Sequence, residues 1–425
     1  MFSDCVGSAG MLKDDTTLAA SLARVKAVLA EQRASAAVGF FSIPDRDDEL
    51  RAIERLAKDV AKQFSTLIVV GIGGSDLGAR ALIRALAPRS KGMSIRFIGA
   101  NTDPDELDAL LASVDLRKCA INIISKSGDT IEPMSTFLLL RDRLIKKVGV
   151  KKHAAHVIAT TDAENGTLRE IARRERYRTL PVPKDIGGRF SALTTVGLFP
   201  AVCAGISARR LLAGAAQARE RCVSDAILFA GLHHDAYRNR GQHITVLMPY
   251  ADGLKDLGAW FRQLWAESLG KARDRRGDIV HHGLTPIAAL GATDQHSQIQ
   301  LYNEGPVDKI VTFIEVDSFR KNFVVPKSYK DIEGVAYMAG RSFEEIIHAE
   351  RKATAGALAK HGRPSGTIHL SSVSPETVGA LMFFFMLATA AMAELLDVDA
   401  YDQPGVEEGK RGMYTLLKRS KGLEG

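Results

Sequence analysis

From residue 49 onward, short apolar runs alternate with helix-like segments, and this alternation rules out most architectures. The sequence reads as a helix over 49–64, a strand at 67–70, a helix to about 86, a strand at 94–98, a helix near 105–112, a strand at 119–124 and a helix over 130–147. A strand at 155–159 and an extended piece at 178–182 complete this half. Strands that are apolar on both faces and spaced by helices form a mainly parallel sheet covered on both sides. The pattern restarts with a helix near 213–239, a strand at 244–249, a helix to about 268, strands at 309–316 and 367–370, and an apolar helix over 376–396. The expected chain is α/β. It has an N-terminal helical segment over 1–48 (helix at 15–38), two α/β domains at 49–208 and 209–398, and a C-terminal tail at 399–425.

Two strand-to-helix turns carry the first chemical signal, G-I-G-G-S-D-L-G at 71–78 and S-K-S-G-D-T at 125–130. Small residues there let backbone N–H groups approach a ligand, and the helix start that follows favours an anion. The hydroxyls of Ser75, Ser125, Ser127 and Thr130, with the Lys126 ammonium, suit a phosphate monoester; the plainer reading is a turn that packs strand on helix. A dinucleotide loop fails because Asp76 holds its third glycine position. A P-loop fails because Trp265 and Pro404 precede Gly270-Lys271 and Gly409-Lys410 where its first glycine belongs.

Composition narrows the partners. Of 425 residues, 46% are apolar and 25% charged, as in a globular domain protein. Cys5, Cys119, Cys203 and Cys222 form no C-x-x-C pair, which fits reduced, cytoplasmic usage. Asp4 and Asp14 interrupt any leader-like N-terminus. The apolar stretch 378–393 ends at Glu394, short of the ~20 residues a membrane span needs, so it reads as a core helix. The +7 net charge comes partly from runs such as 273–276, without interleaved aromatics, so neither nucleic acid nor membrane is expected as a partner.

Polar groups also stand where core residues are expected. Arg189 follows Gly187 and Gly188 and introduces an apolar helix, either as a capping turn or as a donor for a developing oxyanion. Glu267 lies on or beside the stripe of Leu257, Trp260, Phe261, Leu264 and Ser268, with Gln263 one turn earlier. Against apolar surface such a carboxylate has a raised pKa, as a general base requires; the alternative is an exposed pair at the stripe's edge. His296 sits among amides and hydroxyls and reads as an acid/base or structural histidine. With no H-E-x-x-H or His/Cys cluster, and only adjacent pairs at His233-His234 and His281-His282, no metal site is expected. Gln403 and Lys410 flank a Pro404-Gly405 turn that opens a last helix.

The motifs G-I-G-G-S-D-L-G, G-G-R-F-S, Q-x-x-x-E-S-x-G-K, Q-H-S and Q-P-G-V-E-x-x-K stand in order from Gly71 to Lys410. On them the chain resembles the phosphoglucose isomerase (glucose-6-phosphate isomerase) family in its shorter bacterial form. The resemblance implies two SIS-type (sugar isomerase) three-layer αβα sandwich domains with mainly parallel sheets, plus N- and C-terminal helices. It implies reversible isomerisation of glucose 6-phosphate and fructose 6-phosphate through ring opening and a cis-enediol, a step of glycolysis and gluconeogenesis. Ser125, Lys126, Ser127 and Thr130 would hold the phosphate with Gln403 close by, and Gly74, Ser75 and Gln263 would line the sugar pocket. Glu267 would be the base, Arg189 the enediolate stabiliser, and His296 and Lys410 the groups for ring opening. It implies no cofactor or metal, and a homodimer with a shared active site, because the family's histidine comes from the neighbouring subunit. Asp129, Ser127 and Leu269 depart from the residues many members carry there. The rival readings are a non-catalytic phosphosugar-binding regulator with paired SIS-type domains and an isomerase that also accepts mannose 6-phosphate.

Overall fold

Runs of Ile, Val and Ala build the first sheet in the computed structural model, which describes residues 16–87 and 92–417. Strands β1 (Thr66–Val70), β2 (Ser94–Ile98), β3 (Cys119–Ile124), β4 (Val157–Thr161) and β5 (Arg178–Pro181) pair in the order β2-β1-β3-β4-β5, all parallel. The chain goes from β1 to one side for β2, then returns to the other side for β3. Val70 is level with both Ile98 and Ile123, so the turns after β1 and β3 leave the same edge as neighbours. This is a topological switch point, where open parallel sheets bind ligands.

The second sheet uses β6 (Ile244–Pro249), and after it a short antiparallel pair, β7 (Lys271–Arg273) and β8 (Ile279–His282), precedes β9 (Thr285–Ala288), β10 (Lys309–Val316) and β11 (Ser365–Leu370). Its order is β11-β10-β6-β9, again parallel. The helix Pro375–Leu396 packs against Ala208–Arg221, Val223–Arg240 and Lys255–Leu269. By length and composition it would suit a membrane, but 89% of its apolar window is buried inside the protein, so it is a core helix. Ser374 and Thr377 form its capping box with Pro375 in the first turn. Its crossing with Ala208–Arg221 is close: a Cβ on Gly379 would lie 2.0 Å from the Leu211 carbonyl, and one on Gly214 1.9 Å from that of Glu376.

Several expected elements shift. The helix read over 213–239 is two, Ala208–Arg221 and Val223–Arg240, joined at Cys222. Neither Gly nor Pro marks the break. Packing sets it: a single rod over 208–240 would run about 50 Å, against about 33 Å for the helix that both pieces embrace. The strand read at 155–159 starts at Val157, because His153–His156 is a 3-10 turn, and the N-terminal helix is Thr16–Ala34. The sequence reading lacks β7, β8 and β9, which are short and partly exposed, and the helices Thr167–Glu175 and Phe343–Lys360. Before Phe343–Lys360, residues 320–343 form an arm on which Phe323, Val324, Tyr329, Tyr337 and Phe343 are exposed. Asp4, Asp14 and Cys5 lie outside the described residues.

Candidate active site

The turn after β1 meets the G-G-R segment backbone to backbone. A Cβ on Gly74 would lie 2.2 Å from the Gly188 carbonyl oxygen and 2.9 Å from the Arg189 nitrogen, so only glycine permits this approach. Ser75 closes the short 3-10 turn Gly73–Ser75. Asp76, where a dinucleotide loop would need glycine, is buried and pairs through both oxygens with Arg80 at 3.0 Å, tying the turn to the helix Leu77–Leu86.

Arg189 enters from the 3-10 helix Gly188–Leu193 and is only 3% exposed. Its Nε donates to Ser268 Oγ at 2.8 Å, one terminal nitrogen donates to Gln403 Oε1 at 2.8 Å, and the other to the carbonyls of Asp402 (2.8 Å) and Ala400. Glu267 Oε2 stands 3.5 Å from the guanidinium. Burial pulls the Arg189 pKa down, while Glu267, Asp402 and Asp399 oppose it; a guanidinium keeps its charge at neutral pH regardless.

The helix Lys255–Leu269 presents Gln263 and Glu267 on one side, and Gln263 Nε2 donates to Glu267 Oε1 at 3.1 Å. Glu267 is not sealed against apolar surface as its place by the stripe suggests. Leu257, Trp260, Leu264 and Ser268 fill the buried stripe, while Glu267 sits at its edge, 33% exposed and facing polar groups. The amide oxygen of Gln263 is buried and has no hydrogen-bond partner among the described residues.

The turn after β3 is braced from inside. Buried Ser125 accepts the Gly128 N–H through Oγ at 2.9 Å, and Ser127 Oγ accepts that of Asp129 at 3.2 Å. Thr130 is the N-cap of the helix Ile131–Val148 and makes no side-chain capping bond, so the first amides of that helix are left without that cap at this turn. Asp129 would repel a phosphate if it stood free, but it accepts the Thr167 hydroxyl at 2.7 Å and turns toward Thr167–Glu175. Lys126 donates to the Lys184 carbonyl at 3.1 Å, which links this turn to the segment leading into Gly187-Gly188-Arg189.

The structure thus brings Gly74, Arg189, Gln263, Glu267 and Gln403 together, and holds Ser125, Lys126, Ser127 and Thr130 in a neighbouring turn. His296 and Lys410 do not join them within this chain. The His296 imidazole is exposed and makes no hydrogen bond among the described residues; Lys410 lies on the exposed helix Glu407–Leu416, paired with Glu407 at 2.7 Å. Sequence reasoning missed Lys271 and Asp402 and read Ser268 only as part of the buried stripe, although Lys271 and Ser268 stand inside the quoted Q-x-x-x-E-S-x-G-K motif.

Other reactive groups lie apart. Burial pushes the thiol of Cys119 up to about 11 and that of Cys203 to about 12, so neither is a thiolate at neutral pH. His233 is fully buried between the Phe229 carbonyl and Thr245. Among the described residues, no three His, Cys, Asp or Glu side chains converge as metal ligands.

Comparison with known proteins follows the same lines. The family model described as Phosphoglucose isomerase matches residues 50–421. A glucose-6-phosphate isomerase from Carboxydothermus hydrogenoformans is 42% identical over 405 residues, covering 92% of this chain and 87% of that one. A hypothetical protein from Thermus thermophilus has a solved structure with a TM-score of 0.85 at 34% identity, covering 93% of this chain and 94% of that one. A glucose-6-phosphate isomerase from Chlamydia trachomatis has a TM-score of 0.78 at 26% identity, covering 88% and 74%.

Proposed function

The chain belongs to the phosphoglucose isomerase family, and from that membership we propose how its residues divide the interconversion of glucose 6-phosphate and fructose 6-phosphate. Ser125, Lys126, Ser127 and Thr130 bind the phosphate at the start of Ile131–Val148, and that anchor holds the acyclic sugar in a reactive pose. Gln403 lies close by the phosphate, and Gly74, Ser75 and Gln263 line the sugar. His296 and Lys410 assist ring opening. Glu267 then takes the proton from carbon 2 and returns it to carbon 1 through a cis-enediol, while Arg189 stabilises the negative charge that develops on oxygen. The observation that carries this reading is the Glu267–Arg189 pair at 3.5 Å, with Gln263 orienting the carboxylate. A regulator that only bound phosphosugar needs the phosphate turn but not a buried guanidinium beside a carboxylate, and it is not favoured.

The active unit in this reading is a cytoplasmic homodimer of two-domain subunits, divided at 49–208 and 209–398, with His296 donated across the interface. Its support is the exposed, unbonded imidazole and the apolar arm at 320–343, which leaves Phe323, Tyr329 and Tyr337 uncovered on one subunit.

The test is conversion of fructose 6-phosphate to glucose 6-phosphate in a coupled dehydrogenase assay, with and without EDTA. Turnover unaffected by EDTA is expected, and a Glu267→Gln variant should lose about 10²- to 10⁴-fold in kcat with KM nearly unchanged. Near-parent turnover in that variant overturns the assignment of the base, and activity abolished by EDTA overturns the metal-free mechanism.

A further inference from the structure

We propose that Lys271 is a positioning residue for the isomerisation, holding the C-terminal segment that orients Arg189. The inference rests on Glu267 and Arg189 being the reacting pair. Lys271 is only 7% exposed, and an ammonium at that depth is costly unless acceptors surround it. Three do. Its Nζ donates to the Glu267 carbonyl at 3.1 Å and to the Asp402 carbonyl at 2.6 Å, and pairs with Asp402 Oδ1 at 2.7 Å.

Each contact has a physical reason. The helix carrying Glu267 ends at Leu269, and Gly270 turns the chain into β7. The Glu267 carbonyl is among the last-turn acceptors that a helix end leaves open. The Lys271 ammonium supplies the donor that a continuing helix would have supplied from its backbone. The Asp402 carbonyl then lies between two cations, Lys271 Nζ at 2.6 Å and an Arg189 nitrogen at 2.8 Å. Fixing residue 402 fixes its neighbour Gln403, whose Oε1 receives the other Arg189 nitrogen at 2.8 Å. Lys271 therefore joins the backbone of the base to the segment that aims the guanidinium. Without it, the Asp402 carbonyl is held by Arg189 alone, and the guanidinium shifts with it.

The turn at 125–130 lies on other elements, so the larger part of the effect should fall on turnover, with a smaller rise in KM because Gln403 also lies in the substrate pocket. A Lys271→Met variant should keep KM for fructose 6-phosphate within about threefold and lose about 10- to 100-fold in kcat, the scale of a misplacement near 1 Å. If Lys271 acts through the Gln403 segment, the double variant Lys271→Met/Gln403→Ala should fall no more than about twofold below the worse single variant, whereas unrelated structural damage would multiply the losses. Should Lys271→Met fail to fold, Lys271→Arg keeps the charge but not the single nitrogen on which the acceptors converge. It should lose about tenfold in kcat, and its double variant with Gln403→Ala gives the same non-additive comparison. Parent-like kcat in the folded Lys271 variant, or multiplying losses, overturns the proposal. Run beside them, Glu267→Gln separates the premises. An inactive Glu267→Gln with a normal Lys271→Met sinks only the positioning role, whereas an active Glu267→Gln sinks the site reading beneath it.

Discussion

Replacing Gly74 with alanine tests whether backbone contact between two turns sets the position of Arg189. The new Cβ would lie 2.2 Å from the Gly188 oxygen, 2.3 Å from its carbonyl carbon and 2.9 Å from the Arg189 nitrogen, where ordinary contact begins near 3.4 Å. All three atoms are backbone, so no flexible side chain can swing aside. The Gly188-Arg189 turn must retreat by about 1 Å, and overpacking of this kind costs about 1–3 kcal/mol. Arg189 follows that turn directly and stands 3.5 Å from Glu267, so a shift of this size should lower kcat roughly 100-fold. Gly187, in the same segment, has no atom closer to its would-be Cβ than the Tyr401 carbonyl oxygen at 3.9 Å, and its φ of −68° suits alanine. Gly187→Ala should therefore stay within about twofold of the parent, the range of substitutions that touch nothing. The assay is coupled turnover of fructose 6-phosphate, with the melting temperature measured alongside. A folded Gly74→Ala enzyme with kcat within threefold of the parent refutes the reasoning, as does a Gly187→Ala loss of equal size.

Two other outcomes follow from the geometry. Glu394 is 4% exposed in its side chain and takes two 2.6 Å bonds from Arg275 and one of 2.8 Å from Gln32. Arg275→Met should destabilise the protein by about 2–4 kcal/mol at neutral pH, the cost of a buried unpaired carboxylate reduced for an arginine one-third open to water, and Arg275→Met/Glu394→Met should recover most of it in thermal unfolding. Burial pushes the Glu394 pKa up, but Arg275, Gln32 and Arg24 outweigh it and hold the group below its ordinary 4.5. Its stabilisation is thus fully present above that value and lost as pH falls through the lower folded one, a slope that unfolding of the parent at descending pH should show and Arg275→Met should lack. If His296 acts across the dimer, co-refolding inactive Glu267→Gln with inactive His296→Ala should restore about a quarter of parent activity, since half the dimers are mixed and each of those holds one intact site. No recovery in mixtures shown to be dimeric would place His296 in its own subunit's site.

What the sequence made legible follows from burial on both faces. The runs at β1, β3, β6 and β10 are mainly apolar and almost wholly buried because helices cover both sides, and their pattern survives any local reading. The short strands β7 to β9 have partly exposed faces and no such run. The break at Cys222 follows the length of a partner helix more than 150 residues away in the chain, which no local propensity records. The same division holds at the site. Arg189, Gln263 and Glu267 stand out as polar groups among apolar neighbours, and motif order gave the remaining residues by resemblance. Asp129 looks hostile to phosphate until Thr167, 38 residues on, takes its carboxylate. Lys271 closes a quoted motif, but nothing local in the sequence records its acceptor at residue 402.

The dependence of Arg189 on the C-terminal segment also has a consequence in time. Gln403 lies 214 residues after Arg189. At synthesis rates of about 5–20 residues per second, the acceptors at 400–403 reach a growing chain roughly 10–40 s after the arginine they will surround. Until then the guanidinium has no complete set of partners and favours water over the core. The emerging first sheet can assemble early, but the arginine can settle into its buried place only when the last residues arrive. A chain cut short before residue 400 would therefore lose more than its tail: it would keep a water-seeking charge at the centre of an otherwise finished fold.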